Sequence, residues 1–395
     1  MPSILLLALL PLSLAASPSS LFLSSLNLDS ATFNFSVPST AANSDVANTY
    51  IKNNWEINGN KVDFGSSDIV FSPDPSTSSS LVRRKDSSSS SSSSSSTSTI
   101  KSSTKTSSSS ASSTTTVSSP ASTDLGGEPA VLRINYPSGS YSKGTGGTQF
   151  YAQPLNDSTS ASSVLGNSTT DGQYERMLLS YDIYFPSNYS FQMGGKLPGL
   201  RGGPQAQGCS GGSEANGKSC FSTRLMWRTA GAGEVYAYVP TTQKGFCSQS
   251  EITCNSDYGT SLSRGSFSFA TGTWQTIWLL VILNDVGRAN GVVELYYNGV
   301  QALSFSNLLI RTSSSISSIG GLYFSTFFGG DDSSWATPTS QYTYFRNIQL
   351  FAGVGASNTT GDAVTSGASS TASSTSSWAW GTALTTLFGL GIFLG

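Results

Sequence analysis

Residues 221–239, FSTRLMWRTAGAGEVYAYV, decide the fold. Ser222, Arg224, Met226 and Arg228 alternate with Phe221, Thr223, Leu225 and Trp227; Tyr236 and Tyr238 then alternate with Val235, Ala237 and Val239. A period of two marks a strand, because successive side chains leave a pleated ribbon on opposite faces. Gly231, Ala232 and Gly233 supply a turn, so the stretch predicts an antiparallel pair. With Arg228 facing Glu234, the register sets Arg224 opposite Tyr238 and Met226 opposite Tyr236. Ser222, Arg224, Tyr236 and Tyr238 then share one face, with neighbouring Cβ atoms about 5 Å apart.

The same signals recur along the chain. Residues 178–185 (LLSYDIYF) alternate Leu179, Tyr181, Ile183 and Phe185 with Ser180, Asp182 and Tyr184. Residues 274–283 (WQTIWLLVIL) form a longer apolar run, suited to a strand buried on both faces. Residues 292–297 (VVELYY) precede Asn298-Gly299 and Val300, a hairpin signal with a type I′ turn. Residues 322–328 (LYFSTFF) and 342–351 (YTYFRNIQLF) add further strands, and no segment carries a convincing helical period. Short strands between glycine-rich turns predict an all-β fold, a jelly-roll sandwich with one concave face open to a polymer. Trp55, Ile57, Val62, Phe64, Ile69 and Phe71 give strand-like runs within 45–75, expected to be an early strand pair of the same sandwich.

Much of the 395-residue chain cannot build a core. Residues 1–16 read as a signal peptide, and 17–75 as an N-terminal segment that joins the sandwich. Residues 76–123 read as a disordered insertion, since 28 of the 33 positions in 87–119 are Ser or Thr. Residues 124–355 form the main β-sandwich, 356–377 a polar stalk, and 378–395 an apolar tail. Small residues, a polar spacer and a final apolar run match a GPI-attachment signal, with Ser366 as the attachment point. N-glycosylation sequons stand at Asn34, Asn156, Asn167, Asn188 and Asn358. Four cysteines lie within 46 residues and allow three pairings; the local one, Cys209–Cys220 with Cys247–Cys254, is preferred. The layout is that of a secreted, fungal-type protein held on the outer membrane leaflet or in a wall, and a monomer is the expected state.

Composition then bounds the chemistry. The chain has no histidine, which excludes Ser-His-Asp and Cys-His nucleophilic sites, HExxH zinc sites and imidazole bases. A net charge of −2 gives no electrostatic reason for nucleic-acid binding. Within 196–228, however, Lys196, Arg201, Lys218, Arg224 and Arg228 face a single acid, Glu214. Such a local excess suits an anionic ligand, or a solvated basic surface.

The motifs GGKLPGL (194–200), FSTRLMWR (221–228), GEVYAYVP (233–240), DYGTSLSRGSF (257–267) and FSTFFGG (324–330) resemble the polysaccharide lyase family 14 domain. The resemblance runs from about residue 124, with an expected extension back to 45, to about 352, and excludes the Ser-rich stretch and the tail. It implies a jelly roll that cleaves alginate or related polyuronates such as glucuronan by β-elimination, without metal or other cofactor. It places catalytic positions on Lys196, Ser222, Arg224, Tyr236 and Tyr238, and Arg201, Lys218 and Arg228 are candidate substrate-binding cations. In this reading Tyr238 leads as base or acid, nearby cations stabilise a phenolate, and Ser222 orients the acidic polysaccharide. Two other functions compete. A glycoside hydrolase would draw two carboxylates from Glu175, Glu234, Glu294, Asp331 and Asp332. A surface lectin or wall protein would bind the same polymer without turning it over.

Overall fold

The computed structural model describes residues 17–77, 129–155, 173–205 and 208–364. The signal-like run, the Ser/Thr-rich stretch from residue 78, Asn156, Asn167, Ser366 and the apolar tail lie outside those residues. In chain order the main strands are β1 (Ala31–Asn34), β2 (Ile69–Ser72), β3 (Val131–Tyr136), β4 (Thr148–Ala152), β5 (Arg176–Tyr184) and β6 (Gly194–Gly202). Then come β7 (Phe221–Arg228), β8 (Ala232–Tyr238), β9 (Ile252–Thr253), β10 (Thr260–Ser268), β11 (Trp274–Ile282) and β12 (Arg288–Ala289). The last are β13 (Gly291–Tyr297), β14 (Val300–Leu308), β15 (Ile319–Phe328), β16 (Gln341–Gly353) and β17 (Asp362–Ala363).

Two antiparallel sheets make the predicted all-β jelly-roll sandwich. One runs β14-β13-β11-β5-β16-β3-β2, with β1 added on β16; the other runs β4-β15-β6-β7-β8-β10-β9. Their inner faces share one core, in which Leu179, Ile183 and Leu279 meet Leu197, Leu225, Trp227, Val235 and Phe324. The hairpin at Asn298-Gly299 forms as predicted, with φ of 51° and 79°, the positive pair that a type I′ turn requires.

The other hairpin differs from its prediction in register. Its reversal is Thr229–Gly231, with Ala230 at φ 58°, while Ala232 and Gly233 already belong to β8. The pairing therefore slides by two residues: Ser222 faces Tyr238, Arg224 faces Tyr236 and Met226 faces Glu234. A two-residue slide preserves the faces, so the predicted set stays together.

The N-terminal segment also differs from the predicted strand pair. Residues Ser44–Asn54 form a helix, α2, capped by Asn43, whose side-chain oxygen accepts from the Val46 N–H at 3.1 Å. Only Ala47 and Ile51 of α2 are buried, so its apolar period is too sparse to stand out in the sequence. Trp55 follows, fully buried, with its ring edge-on to Phe35 at 5.2 Å and its N–H donating to the Ser36 carbonyl oxygen at 2.7 Å. A short preceding helix, α1 (Ser20–Ser25), brings Phe22 and Leu23 against Leu178, Leu280 and Phe351. That cover buries Leu178, and Thr276, Arg346 and Asn347 bond Asp182 on the same outer face, so β5 is buried on both faces although its sequence alternates. Of the sequons, Asn34, Asn188 and Asn358 are exposed.

Trp55→Ala is expected to destabilise the fold by about 3–5 kcal/mol, the usual cost of emptying a buried Trp site. Urea unfolding of the purified chain measures it. A loss below about 1 kcal/mol would show that the N-terminal segment is not part of the cooperative core.

Candidate active site

On the open face of the second sheet, β6, β7 and β8 lie side by side and set Lys196, Arg224, Arg228, Tyr236 and Tyr238 around one cavity of about 420 Å³. Lys196 is placed by register, opposite Met226 on β7 and Phe327 on β15. Gly195 beside it is obligatory, since a Cβ there would stand 2.0 Å from the Trp227 ring. The Lys196 ammonium lies 3.9 Å from the Tyr236 ring centroid and 2.8 Å from Met226 Sδ. Burial, then the charges of Arg224 and Arg228, hold its pKa well below the usual lysine value, against an opposite pull from Glu234.

Arg224 is 2% exposed. Its guanidinium stacks 4.5 Å from the Tyr323 centroid, and Nη1 donates to the Ser325 hydroxyl at 3.1 Å. Its Nε has no hydrogen-bond partner among the described residues and forms no ion pair there. Arg228 is spent differently: it meets Glu234 at 2.6 Å on the diagonal, two positions along from the direct opposition that the sequence predicts. Glu234 is fully buried and also accepts from Ser261 and Arg264, each at 2.6 Å. Burial pushes its carboxyl up, but Arg228, Ser261 and Arg264 outweigh that and hold it below the usual carboxylate value.

Both phenols accept backbone donors from loops tied by disulfides. Tyr238 accepts the Gly212 N–H at 3.2 Å, inside the Cys209–Cys220 loop. Tyr236 accepts the Gly259 N–H at 2.9 Å, shortly after the Cys247–Cys254 bridge. These are the two preferred pairings. The tyrosine rings meet edge-on at 5.7 Å. Burial, reinforced by Tyr238, raises the Tyr236 pKa above its ordinary value, with the Gly259 N–H and Arg224 only partly opposing. Tyr236 is thus held against ionisation, whereas the depressed proton affinity in this cavity belongs to Lys196.

Three predicted residues stand apart. Ser222 is buried and donates to the Cys209 carbonyl oxygen at 2.6 Å, so its hydroxyl holds the loop rather than facing the cavity. Arg201 is buried, with Nη2 donating to the Gln205 carbonyl oxygen and its guanidinium 4.6 Å from the Tyr151 centroid. Lys218 is exposed on a turn closed by Asn216 Oδ1, away from the cavity. Of the five clustered cations only Lys196, Arg224 and Arg228 line the cavity: Arg201, opposite Ser222 at the far end of the same face, is held by Gln205 and Tyr151, and Lys218 stands on its turn.

The sequence reading misses a polar relay from the neighbouring strands β4 and β15. Gln149 Oε1 accepts from Tyr323 and Ser325, each at 3.1 Å, and the Ser325 oxygen in turn accepts from Arg224. Of the five hydrolase carboxylates only Asp331 lines the cavity. Glu175 pairs with Arg311, Glu294 bonds Tyr296 and Ser304, and Asp332 caps the Ser334 N–H.

The family profile described as Polysaccharide lyase 14 matches residues 126–348, more than half of the chain. The chain belongs to that family. Among solved structures, a marine alginate lyase of the family from Aplysia kurodai is 42% identical, covering 57% of this chain and 83% of that one, with a TM-score of 0.49. An alginate lyase from Chlorella virus is 22% identical over 56% of this chain and 85% of its own, with a TM-score of 0.43. An exolysin of Paramecium bursaria Chlorella virus 1 is 30% identical over 177 residues, 39% of this chain. The chain matches 26% of the length of that curated relative.

Glu234→Gln is expected to cost about 3–5 kcal/mol, because it leaves Arg228 without its charge partner in a buried site. Glu234 has a lowered folded pKa, so its contribution is present above the unfolded value and is lost as pH falls through the folded one. The stability gap between wild type and variant should thus close on acidification. A gap that stays constant down to pH values below the ordinary carboxylate range would refute the ion-pair account.

Proposed function

We propose that this chain is a polysaccharide lyase that cleaves 4-linked polyuronates by β-elimination. One observation carries the reading: Lys196 and Arg224, which form no ion pair among the described residues, meet two phenols in a cavity on a sheet face. Such a site invites a carboxylate beside groups able to move protons.

The chemistry follows from the charges. Arg224 takes the uronate carboxylate, neutralising the charge that builds there as the C5 proton leaves. A base removes that proton, the C5–H electron pair becomes the C4–C5 double bond, and the C4–O4 bond breaks. The O4 atom then takes a proton from an acid and departs as a new chain end. Lys196, with its depressed proton affinity, supplies the neutral amine that acts as base. Tyr238, which lines the same cavity with its hydroxyl beside the Gly212 N–H, supplies the acid. Tyr236, held protonated by burial, positions both through its ring contacts with Lys196 and Tyr238.

The candidate polymers are alginate-type polymannuronate and glucuronan. Two disulfides support action outside the cell, as thiols stay reduced in most cytosols. We propose a GPI-anchored cell-surface location on the sequence of the carboxyl-terminal tail alone.

Incubation with polymannuronate and with polyglucuronate should release products absorbing in the ultraviolet from the conjugated double bond. Lys196→Arg keeps the charge but cannot release a proton, so turnover should fall by about 10²–10⁴. In wild type, turnover should rise with pH as Lys196 deprotonates, and that limb should vanish in the variant. Tyr238→Phe should lose a similar factor. Absence of unsaturated product from both polymers at every pH would sink the lyase reading, and binding without product would establish a lectin.

A further inference from the structure

Beside the site lies a second cavity, of about 620 Å³, bordered by Lys61, Asp63, Phe64, Lys143, Gln149 and Tyr151. It shares Lys143, Gln149 and Ser210 with the cavity at Arg224, so the two are continuous. Part of its wall comes from residues 61–64, far from β4 in sequence and outside the stretch that matches the family.

That segment is fitted to the sheet in detail. Asp63 N–H donates to the Gln149 carbonyl oxygen at 2.8 Å, and the Gln149 N–H donates back to the Phe64 carbonyl oxygen at 3.3 Å. Ile57 bridges Ala152 in the same way, so residues 57–64 cover the outer edge of β4. Gly65, at φ 71°, allows the approach: a Cβ there would stand 1.7 Å from the Gly147 carbonyl oxygen. The Phe64 ring meets Phe327 edge-on at 5.8 Å, and Phe327 lines the site cavity.

The chemistry of this groove is that of an acidic sugar site. Lys61 and Lys143 are exposed and form no ion pair among the described residues. The one acid, Asp63, is engaged, accepting from Gln149 Nε2 at 3.2 Å. That bond turns Gln149 Oε1 toward Tyr323 and Ser325, and through Ser325 toward Arg224. Phe64 and Tyr151 add aromatic surface, and Gln149 and Gln205 add amides.

We propose that residues 57–65 complete a second carboxylate-binding groove, in which Lys61 and Lys143 hold uronate units beyond the one at Arg224. The inference rests on the polyuronate reading of the site. It makes the chain prefer long polymers to short oligomers, because only a long chain spans both cavities.

The test compares Lys61→Glu/Lys143→Glu with wild type, measuring calorimetric binding of mannuronate and glucuronate oligomers three and eight residues long. Tyr238→Phe is the background, to suppress turnover. For the bound sugar, the double reversal should weaken the eight-residue oligomer about tenfold and leave the three-residue oligomer unchanged. Lys52→Glu/Lys218→Glu, which makes the same net charge change away from both cavities, should leave the length preference intact. Equal binding of both lengths in wild type, or a length preference that survives the Lys61/Lys143 reversal, overturns the groove and leaves the lyase reading standing. A length preference lost equally in the Lys52/Lys218 control also overturns it. No binding of either sugar at either length overturns both readings together.

Discussion

A single buried carboxylate allows one sheet face to carry its cations. Lys196, Arg224 and Arg228 converge within a few residue positions on β6 and β7, where like charges repel and burial strips away water. Glu234, opposite Met226 on β8, takes up Arg228 and Arg264 and thereby stabilises the crowded end of the face. It does not reach Arg224. The balance is incomplete: one end of the face is neutralised by Glu234, while Arg224 at the other forms no ion pair among the described residues. A second carboxylate opposite Arg224 would make a quieter protein and a closed site.

That asymmetry accounts for the proton chemistry as well. Burial first, and then the charges of Arg224 and Arg228, disfavour the Lys196 ammonium form, with Glu234 only partly opposing them. The same charge does little for Tyr236, whose ring is buried and whose neighbour Tyr238 opposes ionisation. Two loops finish the arrangement by donating backbone N–H groups to the phenol oxygens, and each loop is tied by a short-range disulfide. The Cys209–Cys220 bridge thus closes a short loop that contains Gly212, one of the two donors to the phenols.

The face containing Ser222, Arg224, Tyr236 and Tyr238 was legible from alternation alone, because a period of two survives a register error of two. The register itself was not, since a turn built on Ala230 with positive φ has no signature beyond the adjacent glycine. Lys196 is invisible to strand geometry, as the kink at Pro198 interrupts its strand, and it entered through the resemblance of GGKLPG. Gln149, Tyr323 and Ser325 come from strands β4 and β15, far from Arg224 in sequence, and show only as polar atoms in otherwise aromatic runs. Ser222, Arg201 and Lys218 mark the opposite failure. The shared face and the resemblance nominated Ser222, and charge proximity in sequence nominated Arg201 and Lys218, but a carbonyl, a stacked ring and a turn already occupy them.

The edge of the second sheet joins fold to substrate. Strand β4 would end the sheet with unpaired N–H and C=O groups, a liability that proteins cover. Here the cover is residues 57–64, held in place by Trp55 within the core and by the close approach at Gly65. Covering the edge necessarily sets a new strip of side chains beside the cleft, and in this chain that strip carries Lys61 and Phe64. Edge protection alone requires backbone pairing, which any sequence without proline supplies. A lysine and an aromatic ring on the cleft side, with the only acid tied to Gln149, exceed that requirement and match the charge already left open at Arg224.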